Sequence, residues 1–469
     1  MNITESSYFG KTILFLLLAT LAFLAFKEIL PERLFPEKTA NTNNIVMDSL
    51  AIQAQADTTV NIIAEPTDTV GAKMVEEVDE SLNPILKADG YKNLSRFYAK
   101  LNKLEKDSTT TVRVAYFGDS MNDGDFIVQD VRDAFQEDYG GQGVGFVSIS
   151  SLSAGARASV SHQYSKNWYS QTFLKVKKPD RPFGIDGQVF FAKDPSQSYW
   201  VRYKAQSRPH SPLLNNPTLF YGSSKNGRGS VTVTADKEAA YSKTLTPSKL
   251  LNSLQLASFD PKSLQVNFNK ADSIPIYGFN FDDGKGVHVD NFSTRGNSGL
   301  PLSILNPSLM NAFDEELNYD LIILHYGANV LGYGSLNYGW YEKSMTTVIK
   351  NLRECFPNAD ILVISTADKS SKIDGVMQTD PAVPALARAQ RNYARKTSSG
   401  FINLYELMGG NGSMPQWVSK GQAGKDYTHF TGSGSKRIAK MIYNEIGYGY
   451  AKYKVAPKTT IDAKDGEGQ

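Results

Sequence analysis

Two stretches of this chain carry residue types that could do acyl-transfer chemistry. The first is the run Thr111-Val-Arg-Val-Ala-Tyr-Phe-Gly-Asp-Ser120. Its β-branched and aromatic residues 112–117 read as a buried strand that ends at a serine. A helix is predicted directly afterwards, because Phe126, Val128, Val131 and Phe135 are spaced to share one face. A serine at the tip of a buried strand, opening onto a helix, presents its hydroxyl near backbone N–H groups that can stabilise an oxyanion. The same geometry suits any well-capped strand–helix turn, so this stretch alone leaves both readings open. The second stretch is Asp426-Tyr-Thr-His429, in a Gly- and Ser-rich loop ahead of a helix. A carboxylate three residues before an imidazole can hold one ring nitrogen while the other faces a serine. Taken singly, such a pair is also an ordinary polar contact. The other histidines, His162, His210, His288 and His325, read as satisfied polar residues.

Bringing these two stretches together requires a sheet. From residue 320 the chain alternates strands and helices: strands at 320–327, 360–365 and 401–404, and helices at 341–355, 382–395 and 432–446. That alternation predicts a parallel sheet covered on both faces. Another helix is predicted at 93–104, with Leu94, Phe97, Tyr98, Leu101 and Leu104 on one side. Residues 161–286 differ in texture. Strand-length runs such as Tyr199-Trp-Val-Arg-Tyr and Gly229-Ser-Val-Thr-Val-Thr are separated by turn residues, the pattern of a β-sandwich inserted into an α/β fold.

Three short blocks now stand in order: Phe117-Gly-Asp-Ser120, then Gly327-Ala-Asn329 at the end of a central strand, then Asp426-Tyr-Thr-His429 before the last helix. Together they resemble the first, third and fifth blocks of the SGNH (GDSL-type) hydrolase superfamily, over about residues 110–150 and 286–450. The resemblance implies Ser120 as nucleophile, His429 as general base and then acid, and Asp426 as the orienting carboxylate. It also implies an oxyanion hole from the Ser120 backbone N–H, a glycine N–H and the Asn329 side-chain amide. Gly296 is the glycine expected there, with Gly299 second; Gly143 and Gly145 read as a tight turn. Val330 stands where many members carry Asp, and Met121 replaces a leucine. Neither change removes a catalytic group. An SGNH domain split by an all-β insertion is similar to bacterial peptidoglycan O-acetylesterases and their transferase relatives, in which the insertion resembles a carbohydrate-binding module. Trp168 and Trp200 are the aromatic residues expected to bind substrate, with Tyr199, Tyr203 and Tyr221 as further stacking candidates. Filling the sandwich core is the competing role for each. Arg157, Arg202 and Arg295 are expected to meet substrate anions or solvent.

The bulk composition is that of an ordinary globular protein, neither fibrous nor broadly disordered. With 469 residues the chain exceeds one small core. Its net charge of +2 gives no electrostatic case for nucleic acid. The single cysteine, Cys355, excludes an intramolecular disulfide and a cysteine-based zinc cluster, and it reads as inert helix packing. No metal-ligand spacing and no cofactor loop is present in the sequence, so no cofactor is expected. Residues 12–26 are apolar but for two threonines; as a helix they span roughly 22 Å against a ~30 Å hydrocarbon core. They read as an uncleaved N-terminal anchor, with a signal peptide as the alternative. The expected organisation is an anchor at 1–34, a flexible tether at 35–84, a hydrolase domain at 85–160 and 286–455 split by a β-sandwich at 161–285, and a tail at 456–469. The expected place is the bacterial inner membrane with a periplasmic catalytic domain, or the periplasm after cleavage. The expected function is a serine esterase removing O-acetyl groups from a cell-envelope polysaccharide such as peptidoglycan. Two alternatives stand beside it: an O-acetyltransferase working with a membrane-bound O-acyltransferase, and a non-catalytic glycan-binding protein.

Overall fold

The computed structural model describes residues 87–332 and 336–456, with positions 14, 17, 18, 20, 50, 51, 53 and 54 before them. Its central sheet consists of β1 (Ala88–Asp89), β2 (Thr111–Gly118), β3 (Gly286–Asn291), β4 (Leu321–His325), β5 (Asp360–Ile364) and β6 (Gly400–Ile402). Their spatial order is β1-β6-β5-β4-β2-β3. All neighbours are parallel except β1 and β6. In β4 every residue is buried, because a parallel strand between two helical layers meets apolar packing on both faces.

The two faces are separated by the period-2 alternation of the strands. On β2, Val112, Val114 and Tyr116 pack with α1 (Ser95–Lys106), α2 (Val128–Tyr139) and the last helix. Ala115 and Phe117 face α3 (Pro307–Leu317), α4 (Gly339–Cys355) and α5 (Ala382–Lys396). The last helix, α6 (Gly432–Val455), runs nine residues past its expected end at Ile446. It continues because Tyr450 is buried and Gly449 lies against Tyr98, where a Cβ would meet the phenol oxygen at 2.2 Å. Cys355 closes α4 in full burial, and burial pushes its thiol up to about 12.

The β-rich region forms two antiparallel sheets around a separate apolar core. One has the order Tyr241–Thr244, Ser230–Ala235, Ser263–Asn269, Tyr199–Ala205, Val160–Tyr164. The other has the order Leu251–Gln255, Thr218–Gly222, Ile276–Phe281, Gln188–Phe191, Tyr169–Thr172. The strand Gly145–Ser148, which precedes the β-rich stretch in sequence, also pairs with Ile276–Phe281. It therefore belongs to the sandwich.

Residues 45–469 form one compact unit and residues 1–44 another. The anchor expected within 12–26 lies outside the described residues, apart from four helical positions there. Among the described residues no helix is long and apolar enough to cross a membrane. Most of the expected tether and the tail from 457 onward also lie outside them. Where the tether segment is described it departs from a free linker: Ala51 is fully buried, with Leu50 and Ala54 packed against the same core.

Candidate active site

The site forms at the carboxyl edge of the sheet, where β2, β3 and β4 end side by side and the loop before α6 folds over them. Ser120 follows β2 in a turn closed by the Asp123 N–H on the Asp119 carbonyl at 3.0 Å. The helix expected directly after the serine does not start there. A short 3-10 turn, Asp123–Asp125, and Ile127 at φ 64° intervene, and α2 opens only at Val128. Phe126, outside the helix, contributes nothing to its buried face. The turn is crowded: a Cβ on Gly118 would lie 2.5 Å from Asn122 Nδ2 and 2.8 Å from Ser293 Oγ. Only glycine allows the loop after β3 to pass this close, with the Thr294 N–H donating to the Gly118 carbonyl at 3.0 Å.

From the far end of the chain, His429 reaches this serine. Ser120 Oγ lies 3.0 Å from His429 Nε2, and His429 Nδ1 lies 2.7 Å from Asp426 Oδ2. The Asp426 Oδ1 atom also accepts the backbone N–H groups of Thr428 and His429, each at 3.1 Å. Burial works to raise the Asp426 pKa, but the hydrogen bonds from His429 and Thr428 outweigh it and hold the carboxyl below its ordinary value. The loop is fixed at both ends. Tyr427 adopts φ 52° and its carbonyl accepts the Ser370 N–H at 3.1 Å. Thr431 caps α6 by accepting the Gly434 N–H at 3.3 Å. A Cβ on Gly434 would stand 1.8 Å from the Gln422 carbonyl oxygen, so the helix start seats against the loop only because this residue is glycine.

Asn329 lies in the turn after β4, buried, and its Nδ2 donates to the Asn297 carbonyl at 3.1 Å. This joins it to the loop that carries Gly296, which has φ 82°. One of the two Asn329 amide hydrogens is used in that bond, leaving the other available. Gly299 caps the following 3-10 turn instead. Gly143 and Gly145 have φ 104° and 71°, and the Gly143 N–H donates to the His210 carbonyl; they make a tight turn. Val330 is fully buried in the apolar core, a position an aspartate would leave unpaired.

Trp168 and Trp200 both stand in the sandwich. Trp168 packs edge-on to Tyr199 and Phe268, with ring centroids 5.2 and 5.0 Å away. Trp200 is half-buried beside the Arg202 guanidinium, 5.8 Å from its ring. The further stacking candidates Tyr199, Tyr203 and Tyr221 are at most 4% exposed, so they are core residues and not a sugar platform. Arg157 pairs with Asp125 at 3.5 Å, Arg295 lies 3.6 Å from Asp123, and Arg202 bonds Gln265.

One residue of the site was not singled out from the sequence. Asp119 is 1% exposed, and its carboxylate accepts the Met121 N–H at 3.0 Å together with the N–H groups of Gly327 and Ala328. It ties the serine turn to the Asn329 turn. Burial raises its pKa to about 6, against those hydrogen bonds and the nearby His429. The signal in the sequence was its place in Gly-Asp-Ser, but two of its partners, Gly327 and Ala328, come from the turn after β4, far along the chain. Among the described residues no group of His, Cys, Asp or Glu side chains is arranged to hold a metal ion.

No family model matches the chain, and no curated protein matches it. Its fold is similar to that of a solved peptidoglycan O-acetylesterase, at a TM-score of 0.63 and 21% identity, over 78% of this chain and 100% of that one. A family two carbohydrate esterase from Cellvibrio japonicus matches at a TM-score of 0.25 and 10% identity, over 62% of this chain and 98% of that one. An acetyl xylan esterase matches at a TM-score of 0.27 and 18% identity, over 34% of this chain and 81% of that one. The last two superpose too weakly to bear on the fold.

Proposed function

We propose that this chain is an SGNH-type serine esterase that removes O-acetyl groups from a cell-envelope polysaccharide such as peptidoglycan. The observation that carries the reading is the line Ser120 Oγ–His429 Nε2–His429 Nδ1–Asp426 Oδ2, at 3.0 and 2.7 Å, at the carboxyl edge of the sheet. A serine hydroxyl is a poor nucleophile until an adjacent base takes its proton. His429 Nε2 is placed for that, and Asp426 holds the opposite ring nitrogen so that its proton stays on Nδ1. In the proposed reaction Ser120 Oγ adds to the acetyl carbonyl while His429 accepts its proton. The Ser120 and Gly296 N–H groups and the free Asn329 amide hydrogen receive the oxyanion. The sugar oxygen leaves with the proton from His429, and a water, deprotonated by the same imidazole, releases acetate from the serine. The fold shared with a peptidoglycan O-acetylesterase supports the choice of polymer. The half-exposed triad, with His429 45% and Asp426 43% accessible, suits a bulky substrate.

The test compares wild type with Ser120→Ala on 4-nitrophenyl acetate and on O-acetylated peptidoglycan, with and without a soluble oligosaccharide acceptor. The expected outcome is acetate release by wild type alone, with a fall of at least about 10³-fold in kcat for the variant. Acetylated oligosaccharide formed at the expense of acetate would instead identify a transferase. Equal rates from both proteins would leave only the glycan-binding reading.

A further inference from the structure

Lys369 is a charged side chain beside the triad to which the proposed reaction gives no part. It follows β5, where the chain leaves the sheet and turns into a two-stranded hairpin, Ser370–Ile373 with Val376–Thr379. The backbone pins it from both sides. Its carbonyl accepts the Asp380 N–H at 2.9 Å, which closes the hairpin, and the next residue, Ser370, donates its N–H to the Tyr427 carbonyl at 3.1 Å. Lys369 is only 7% exposed, and it lines a cavity of ≈ 10 Å³ together with Asp119, Met121, Gly327 and Thr428. Asp119 and Met121 flank Ser120, and Thr428 lies between Asp426 and His429. The lysine therefore meets the Ser120–His429–Asp426 line from the protein interior.

A desolvated ammonium group ordinarily needs an ion pair. Among the described residues Lys369 Nζ makes no hydrogen bond and no ion pair, and the charges that act on it are the carboxylates of Asp380 and Asp426. Burial lowers its pKa, and those two carboxylates work against the fall. The other titratable groups around it are committed elsewhere. His325 Nδ1 lies 2.8 Å from the Tyr116 hydroxyl, and burial keeps its imidazole neutral, with the pKa pushed down to about 3. Asp368 accepts the Ser413 hydroxyl at 2.9 Å and the Met414 N–H at 2.7 Å. Asp119 accepts the N–H groups of the two turns it joins, and Asp380 accepts the Ala382 N–H at 3.0 Å at the start of α5. Lys425, next to Asp426, is exposed, so solvent and salt screen its charge. Asp426 is thus the carboxylate through which Lys369 reaches the chemistry.

We propose that Lys369 is a positioning residue for the triad, which offsets part of the negative charge that Asp426 places beside His429. The assignment rests on the esterase reading. A carboxylate next to an imidazole favours the imidazolium, which cannot act as base, and a cation behind that carboxylate disfavours it. With Lys369 in place His429 stays neutral, and able to take the Ser120 proton, to lower pH. Without it the imidazolium persists to higher pH.

The test measures kcat/KM for 4-nitrophenyl acetate from about pH 5 to 9 with the full chain, for wild type, Lys369→Met, Lys369→Gln and Lys369→Arg. In the two neutral variants the acid limb is expected about half a pH unit higher than in wild type, so that kcat/KM well below the limb falls about threefold and the plateau changes less. Lys369→Arg, which keeps the charge, should keep the wild-type limb. An unmoved limb in the neutral variants, a loss by the same factor at every pH, or a limb that moves as far in Lys369→Arg as in Lys369→Met would each overturn the proposal. Loss of folding in both neutral variants would overturn it too, by assigning the lysine to the fold. Equal hydrolysis by wild type and Ser120→Ala would instead remove the esterase reading, whereas a serine-dependent rate with an unmoved limb removes the role of Lys369 alone.

Discussion

Asp119 and Ser120 are neighbours in sequence that answer to opposite demands. Ser120 must stay reachable, whereas Asp119 is buried so that its carboxylate can hold two turns together. Burial costs the charged form, which is why its pKa rises from 3.8 to about 6 in the fold. The sign of the consequence follows. Between pH 4 and 6 the native state keeps a proton that the unfolded chain has released, so stability falls as pH rises through that window and is level above it. Asp119→Asn does not titrate. The stability of wild type relative to this variant should therefore decline by up to about 1.4 kcal/mol per pH unit from pH 4 to 6 and then flatten, as measured by urea unfolding at each pH. Ser120, Asp426 and His429 were legible as candidates because their spacing is local or terminates a strongly patterned strand. Asp119 was not, since its role depends on Gly327 and Ala328 arriving beside it.

At the scale of elements, β2 carries one residue that breaks its apolar pattern, and that residue secures the strand to the insertion. Arg113 is buried in mid-strand, with Nε 2.6 Å from Asp290 on β3 and Nη1 2.7 Å from Asp282 beyond Ile276–Phe281. Burial would lower its pKa, but Asp290 and Asp282 together hold it charged. Asp290 is fully engaged, accepting also from the Tyr319 hydroxyl at 2.6 Å and the Phe146 N–H at 2.8 Å. Removing the cation would strand two buried carboxylates. Arg113→Met is expected to cost about 3–5 kcal/mol in urea unfolding, far more than an exposed arginine of the sandwich such as Arg202. The sequence pattern reached the element types but not their junctions. The turn after Ser120 was read as a helix start because Phe126 shares the spacing of Val128 and Val131, yet Gly124 and Ile127 take positive φ and delay the helix to Val128. Periodicity reports which face is apolar and says little about where a chain must bend to clear a neighbouring loop.

Across the whole molecule the α/β body and the sandwich share buried surface. Phe220 and Tyr277 of the sandwich each pack on Phe313 of α3, with centroids 5.6 Å apart, and Gly145–Ser148 crosses from one part into a sheet of the other. Arg208 of the insertion pairs with Asp130 and Asp133 on α2. Parts bound this way should unfold together. The four tryptophans allow the test, since Trp168 and Trp200 stand in the sandwich and Trp340 and Trp417 in the body. A chain with Trp340→Phe and Trp417→Phe and one with Trp168→Phe and Trp200→Phe should each show the same urea midpoint by fluorescence as by far-ultraviolet circular dichroism, whereas two separated transitions would contradict shared cooperativity. By itself the sequence determined the strand at 112–117, the alternation that makes a parallel sheet, the β texture of the insertion, and the serine, histidine and aspartate candidates. Each of these depends on residue type and short-range spacing, which a chain carries with it before folding. Tertiary structure alone decided that Ser120 and His429, 309 positions apart, lie 3.0 Å from each other, that Tyr199, Tyr203 and Tyr221 are core, and that Arg157, Asp186 and Ser293 surround one cavity. Those outcomes depend on which surfaces exclude water against which others, and no short stretch of sequence contains that information.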